Sequence, residues 1–341
     1  MTAEPARRKF RRESGRILLA TNAREDKHER SQLMGAAVSK EHDMKDLLEG
    51  LNREIRIGEH GIVRLIDCMP RLVEPGETFD HAVCQAARVS YGADTKKPSE
   101  TVNRGLIRYL MRHHHGTPFE MVDIKFYMSL PIFVARQLIR HRTASINEYS
   151  MRYKQPKERF FVPDVNNVRK QSKNNKQGSE GMVGVDTAEE FIKYTEQIAS
   201  SSFEKYMQNE QNGIGREIAR INLPLSTFTE WYWEIDLRNL LGFLGLRMDP
   251  HAQKEIRDFA NALYELTKPL APYSFEAYED FQMHAMYLTA LELEAIKTQK
   301  PLHERATDRE RDEFVAKCEK LGFAELAKIA APPPKKKAAE G

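Results

Sequence analysis

The chain has 341 residues, with 53 Lys and Arg against 50 Asp and Glu for a net charge of +3. No global basic field therefore calls for nucleic acid, and any anion must be met by a local cluster of arginines. A hydrophobic content of 40% supports a real core, while 30% charged residues imply a large wetted surface.

No run of about 18 apolar residues occurs, which excludes a membrane-spanning helix. The opening MTAEPARRKFRRESGRILLATNA lacks the apolar stretch of a secretory signal, and Glu4 and Glu13 speak against a transit peptide. Cys68, Cys84 and Cys318 are scattered, with no CxxC, which fits a reduced compartment and a cytoplasmic protein.

Residues 1–58 are charge-rich, carry only one weakly helical stretch, SKEHDMKDLLEGLNREI, and read as an N-terminal extension. The folded domain is expected over residues 59–300. GIVRLIDCM (61–69) reads as a strand, and SETVNRGLIRYLMRHHH predicts an amphipathic helix with Ile107, Leu110 and Met111 at helical spacing. VDIKFYMSL alternates as a further strand. Ser129 is a candidate N-cap for the helix PIFVARQLIRHR, with Pro131 near its first position. Ala135, Leu138 and Ile139 form the apolar face of that helix, and Gln137, Arg140 and His141 point the other way.

Residues 165–186 are polar and glycine-bearing and read as a mobile insertion. A helical region is expected from about Thr187 to Asn209. STFTEWYWEI predicts a strand from its aromatic and β-branched content, and DLRNLLGFLGLR a helix. Asp249 and Pro250 are expected to open the long helix HAQKEIRDFANALYELTK, which Pro269 and Pro272 end. Residues 301–341, closing on APPPKKKAAEG, read as a charged low-complexity tail.

RHRTASINEYSMRY (140–153) has almost no apolar spacing. Arg136, Arg140, Arg142 and Arg152, with Ser145, Asn147 and Ser150, offer forked donors and hydroxyls that suit phosphate or carboxylate. Glu148 and Asn147 can read the polar edge of a base or sugar, so the set points to a nucleotide. Composition alone also allows a solvated, salt-bridged helix end.

The spacing R-H-R, seven residues, then S is met by Arg140, His141, Arg142 and Ser150, followed by Arg152 and Tyr153. It closely resembles the signature of the flavin-dependent thymidylate synthases. ARVSYG (87–92), HGTPFE (115–120), PIFVARQ, IARINLPL (218–225) and LRNLLGFLGLRMDPHAQ (237–253) resemble the same family in the same order. The likeness runs from about Gly61 to Ile296.

That resemblance implies an enzyme of dTMP biosynthesis that methylates dUMP reductively. The carbon donor would be 5,10-methylenetetrahydrofolate, the reductant NADPH and the cofactor FAD, with no cysteine nucleophile. It also implies an α/β (α+β) subunit, a single domain whose mixed or antiparallel sheet is flanked by helices, assembled as a homotetramer with shared active sites. The family's FAD contacts carry over to Arg140, His141, Arg142, Glu148, Asp236, Leu237 and Arg238, and to Thr117 from a neighbouring subunit. Its dUMP contacts carry over to Gln137, Leu138, Ile139, Arg140, Glu148, Tyr149, Ser150, Met151, Arg152, Arg220 and Arg247.

Arg247 matches the residue that activates the uracil. A fixed guanidinium beside the base stabilises negative charge as N3 ionises, which enriches electron density at C5. Asp236 stands where some relatives have asparagine, and Gly242 where the family usually has asparagine or histidine. Read without the family, Thr117 before Pro118 is equally a helix cap, and Arg247 a charged helix C-terminus.

Other chemistries fit less well. The cysteines lack a nucleophile's setting, and Ser150 has no nearby base and orienting partner. Adjacent residues of HHH (113–115) splay about 100° apart on a helix, so no metal is expected there. GIGREI (213–218) lacks the last glycine of a dinucleotide fingerprint and a preceding strand, and no Walker A pattern occurs. The alternative class is a nucleic-acid-binding module built on the arginine clusters, but basic residues interleaved with stacking aromatics are poorly represented.

Overall fold

The computed structural model describes residues 17–20, 53–71, 77–92, 98–173 and 178–331. They belong to two compact units, residues 33–278 and a second built from 1–32 and 279–341.

The strands of the larger unit are β1 (Glu54–Ile57), β2 (Gly61–Met69), β3 (Asp123–Pro131), β4 (Ser145–Glu148), β5 (Arg169–Gln171), β6 (Ser179–Met182) and β7 (Phe228–Asp236). Its α-helices are α1 (Phe79–Arg88), α2 (Glu100–Arg112), α3 (Ile132–Leu138), α4 (Val185–Gln211), α5 (Arg216–Ala219), α6 (Leu237–Arg247), α7 (Lys254–Thr267) and α8 (Pro272–Tyr278). Five strands form one antiparallel sheet in the order β1-β2-β3-β7-β4, while β5 and β6 pair separately.

Side-chain alternation decides which face of that sheet is dry. Val63, Leu65, Ile124, Phe126, Met128, Trp231, Trp233 and Ile235 are all buried. Helices supply the rest of this core through Val83, Ile107, Leu110, Phe243, Leu244, Phe259 and Leu263. The opposite face carries Tyr127, Tyr232 and the ion pair Lys125–Glu234 at 2.8 Å. This is the predicted helix-flanked sheet, here antiparallel throughout.

α8 starts on a carboxylate borrowed from α1. The amides of Tyr273 and Ser274 donate to buried Asp80 at 2.7 and 2.9 Å, and the Ser274 hydroxyl donates at 2.5 Å. Burial pushes the Asp80 carboxyl up to about 6, against the opposing pull of those donors.

Several boundaries differ from the expectation. Ser129 lies inside β3 and donates its hydroxyl to His60 O at 3.1 Å, so it caps no helix. The ladder with β7 runs on to Pro131, which leaves α3 to start at Ile132 and end at Leu138. α7 starts at Lys254, because Asp249 instead accepts from the amide of His251 at 2.8 Å and holds a turn there. The expected insertion contains the β5–β6 hairpin and the start of α4.

At the other boundaries the expected extension and tail also carry structure. Of the stretch SKEHDMKDLLEGLNREI, residues 39–52 lie outside the described residues, and its end enters strand β1. In the second unit, strand Ile17–Ala20 pairs antiparallel with Ala285–Leu288. Within the expected tail, helices Asp308–Leu321 and Ala324–Ala330 bury Phe314, Cys318, Leu326 and Ala330 in a small core. Thr307 and Glu310 form a capping box at the start of the first, and Gly322 at φ 79° ends it. Residues 332–341 lie outside the described residues. Among the described residues no helix is long and apolar enough to cross a membrane.

Candidate functional site

α3 packs by Val134, Ala135 and Leu138, all buried, and stops where His141 N donates to Leu138 O at 3.0 Å. The chain then turns outward before β4 joins the sheet edge, with Ser145 opposite Glu234 and Glu148 opposite Trp231. Arg140 and Arg142 are exposed on this turn and have no ion-pair partner among the described residues. Ile139 is 41% exposed, so it leaves the apolar face expected of it.

His141 turns inward. Its ring meets Phe243 edge-on at 4.7 Å, and Phe243 packs on Trp233 at 5.2 Å. One turn further along α6, Arg247 donates its Nε to His141 Nε2 at 2.9 Å. Burial, and then the Arg247 charge, hold the imidazole below its usual pKa. Burial also lowers Arg247, yet a guanidinium stays charged near neutrality. Gln137 adds a second link across the same seam, donating its side-chain amide to Gln253 just before α7.

A second group gathers at the end of β4. Thr229 of β7 donates its hydroxyl to Glu148 Oε1 at 2.7 Å. Tyr149 N donates to Glu230 O at 2.7 Å, and its hydroxyl lies 2.8 Å from Lys154 O and 2.5 Å from Gln155 O, so Tyr149 braces the turn. Ser150 Oγ accepts from Arg152 N at 3.3 Å, and Met151 is buried beside it. Arg152 meets Glu217 at 3.3 Å, while Arg220 Nε donates to Glu217 O at 3.4 Å. No base faces Ser150 among the described contacts.

A third group surrounds the start of α6. Asp236 is its N-cap, accepting from Asn239 N at 2.9 Å and from Asn239 Nδ2 at 2.5 Å. Leu237 is buried, and its amide donates to Val122 O at 2.8 Å. Arg238 pairs with Glu120 and lies directly over Gly116, where any β-carbon would overlap it. Thr117, exposed, opens the short 3-10 turn Thr117–Met121. At Gly242 an added β-carbon would meet nothing within 4 Å.

Hydrogen bonds and ring contacts thus gather most of the predicted residues into three groups, and they add Phe243, Thr229, Gln253 and Glu120, which sequence reading missed. The spacing of Phe243 and Arg247 was the available signal, since residues four apart share a helix face. Donors without acceptors at Arg140 and Arg142, beside a charged Arg247, suit an anionic ligand with a polar ring edge. Burial pushes the Cys68 thiol up to about 11 and Cys84 to about 12, and it raises Cys318. None of the three is an activated thiolate. His113 and His115 pack against the ring of Tyr109, and no metal-holding cluster occurs among the described residues.

Residues 71–273 match the sequence model of the family described as thymidylate synthase complementing protein. The chain is 48% identical over 281 residues to a flavin-dependent thymidylate synthase of Dictyostelium discoideum, covering 82% of this chain and 91% of that one. It is 48% identical over 242 residues to one from Gluconobacter oxydans, covering 70% and 77%. Its fold is similar to a crystal structure of a UMP/dUMP methylase from Streptomyces cacaoi bound with 5-Br dUMP. That match has a TM-score of 0.59 at 34% identity and covers 67% of this chain and 99% of that one.

Proposed function

Because the chain belongs to the thymidylate synthase complementing protein family, the flavin-dependent thymidylate synthases, we propose that it methylates dUMP to dTMP with a bound flavin. The observation that carries this reading is the seam of α3, β4 and α6, where Arg140, Arg142 and Arg247 present charge that few protein groups oppose. The nucleic-acid alternative draws no support from the relatives.

We read the flavin as FAD, the carbon donor as 5,10-methylenetetrahydrofolate and the reductant as NADPH. The residues present fit FAD: unpaired Arg140 and Arg142 suit a pyrophosphate, and the exposed Thr117 and Arg238 offer further donors. FAD, when bound, supplies the hydride and one-carbon chemistry. The protein's part is to orient and polarise. Ser150, Arg152 and Arg220 would face the nucleotide phosphate, and Gln137 and Glu148 the polar edges of base and ribose. Arg247 would lie against the uracil and stabilise the negative charge that makes C5 a nucleophile. Leu138, Tyr149, Met151 and Leu237 have buried or internally engaged side chains, so they would contribute backbone contacts and shape.

A homotetramer with shared sites is the assembly that suits this surface. Tyr91 is 90% exposed, and Ile221 and Leu225 are exposed beside Arg220, apolar area that a neighbouring subunit would cover. The test is dTMP formation from dUMP, methylenetetrahydrofolate and NADPH with FAD present or withheld. Turnover that ignores FAD, or none from folded flavin-loaded protein, would refute the reading.

A further inference from the structure

Arg247 is anchored by one side chain. Its Nε donates to His141 Nε2, and among the described residues its two terminal NH2 groups have no partner. The imidazole is itself held from the side, edge-on to Phe243, which rests on Trp233 in the core. Phe243 and Arg247 lie one turn apart on α6, so a single histidine spans both positions. A guanidinium is planar, so fixing Nε fixes the plane in which the outer donors lie.

An imidazole can accept at Nε2 only when neutral, with its proton on Nδ1. A protonated ring would lose that lone pair and would repel the guanidinium. Burial and the Arg247 charge both disfavour protonation of His141, which agrees with the geometry. Arg247 is the only charged group set against this ring in the described structure.

We propose that His141 is the positioning residue for Arg247: as a neutral Nδ1–H tautomer it locks the guanidinium plane and aims the two free NH2 groups at the nucleobase. This rests on reading the site as a dUMP site, and it gives His141 a task separate from contact with the flavin. The lock stands in the free protein, so the ligand meets a donor pair already aligned.

The test has two arms. In the first, 15N spectra of histidine-labelled protein report the tautomer of His141 without any turnover. An unprotonated, hydrogen-bonded Nε2 that shifts in Arg247→Lys is expected, and an Nε2–H tautomer or a ring indifferent to Arg247→Lys overturns the proposal. In the second, His141→Phe keeps the packing on Phe243 and removes the acceptor. Measured at saturating flavin, the KM for dUMP should stay within about threefold while kcat falls on the order of a hundredfold. His141→Gln, which restores an acceptor, should recover part of that loss.

Combining His141→Phe with Arg247→Lys should cost little beyond Arg247→Lys alone, because both break one unit. Additive losses would overturn the positioning role. Absence of dTMP formation by the unaltered protein would refute the proposed function instead and leave the spectroscopic arm standing.

Discussion

Thr229, buried in β7, donates its hydroxyl to Glu148 on the neighbouring edge strand β4 at 2.7 Å. The bond engages one carboxylate oxygen of a residue that is exposed overall. A hydrogen bond to a charged group contributes about 1.5–3 kcal/mol. Thr229→Val keeps the shape and removes the donor, so the KM for dUMP should rise roughly tenfold or more, with kcat less affected. Thr229→Ser should behave as the parent. Steady-state kinetics of the pair check this, and equal KM values for Val and Ser would rule it out.

Arg247→Ala removes the guanidinium that His141 holds at the seam while leaving Arg140 and Arg142 untouched. Flavin absorbance should be retained and kcat should drop about 10²–10³-fold. Unchanged turnover would remove Arg247 from the chemistry.

Gly116 makes room for Arg238. Gly116→Ala sets a methyl where the Arg238 side chain lies, so that side chain must swing and lose Glu120. The pair is largely exposed, and its loss should lower stability by less than about 1 kcal/mol. Flavin affinity should weaken several-fold, measured by equilibrium titration. A strongly lowered melting temperature at intact affinity would show Gly116 serving the fold alone.

Asp80 links α1 to α8 through the donors at Tyr273 and Ser274. Its folded pKa, pushed up to about 6, exceeds the ordinary value near 3.9, so the folded state binds the proton more tightly. Its favourable share is complete below about pH 4 and is lost as pH rises through 6, a change of roughly 3 kcal/mol. Denaturant titrations should find the parent losing stability relative to Asp80→Asn across that window. Parallel curves would disprove the shift.

Much of the sheet was legible in the sequence. In β3, Ile124, Phe126 and Met128 alternate with more exposed positions, and β7 repeats this with Trp231, Trp233 and Ile235, because one face of each strand is dry. The run from Arg140 to Arg152 was legible for the opposite reason, a cluster of hydrogen-bonding groups with no core to serve.

The His141–Arg247 contact was not legible, since its partners are 106 residues apart and meet only through helix packing. The start of α7 was missed because Asp249 holds a turn with His251 rather than capping the helix. In residues 301–331 charge masked a short apolar repeat, Phe314 and Cys318 one turn apart, that suffices for a small core.

β4 is four residues long and has a single hydrogen-bonded neighbour, β7, in the sheet. Like β1 at the other edge, the strand presenting Glu148 can therefore breathe while the buried centre of the sheet stays shut. Its amides should exchange with deuterium well ahead of those of β3, and nucleotide should slow them selectively. On the proposed dUMP reading, entry and release of substrate would then be a matter of that edge loosening, with no demand on the core beneath.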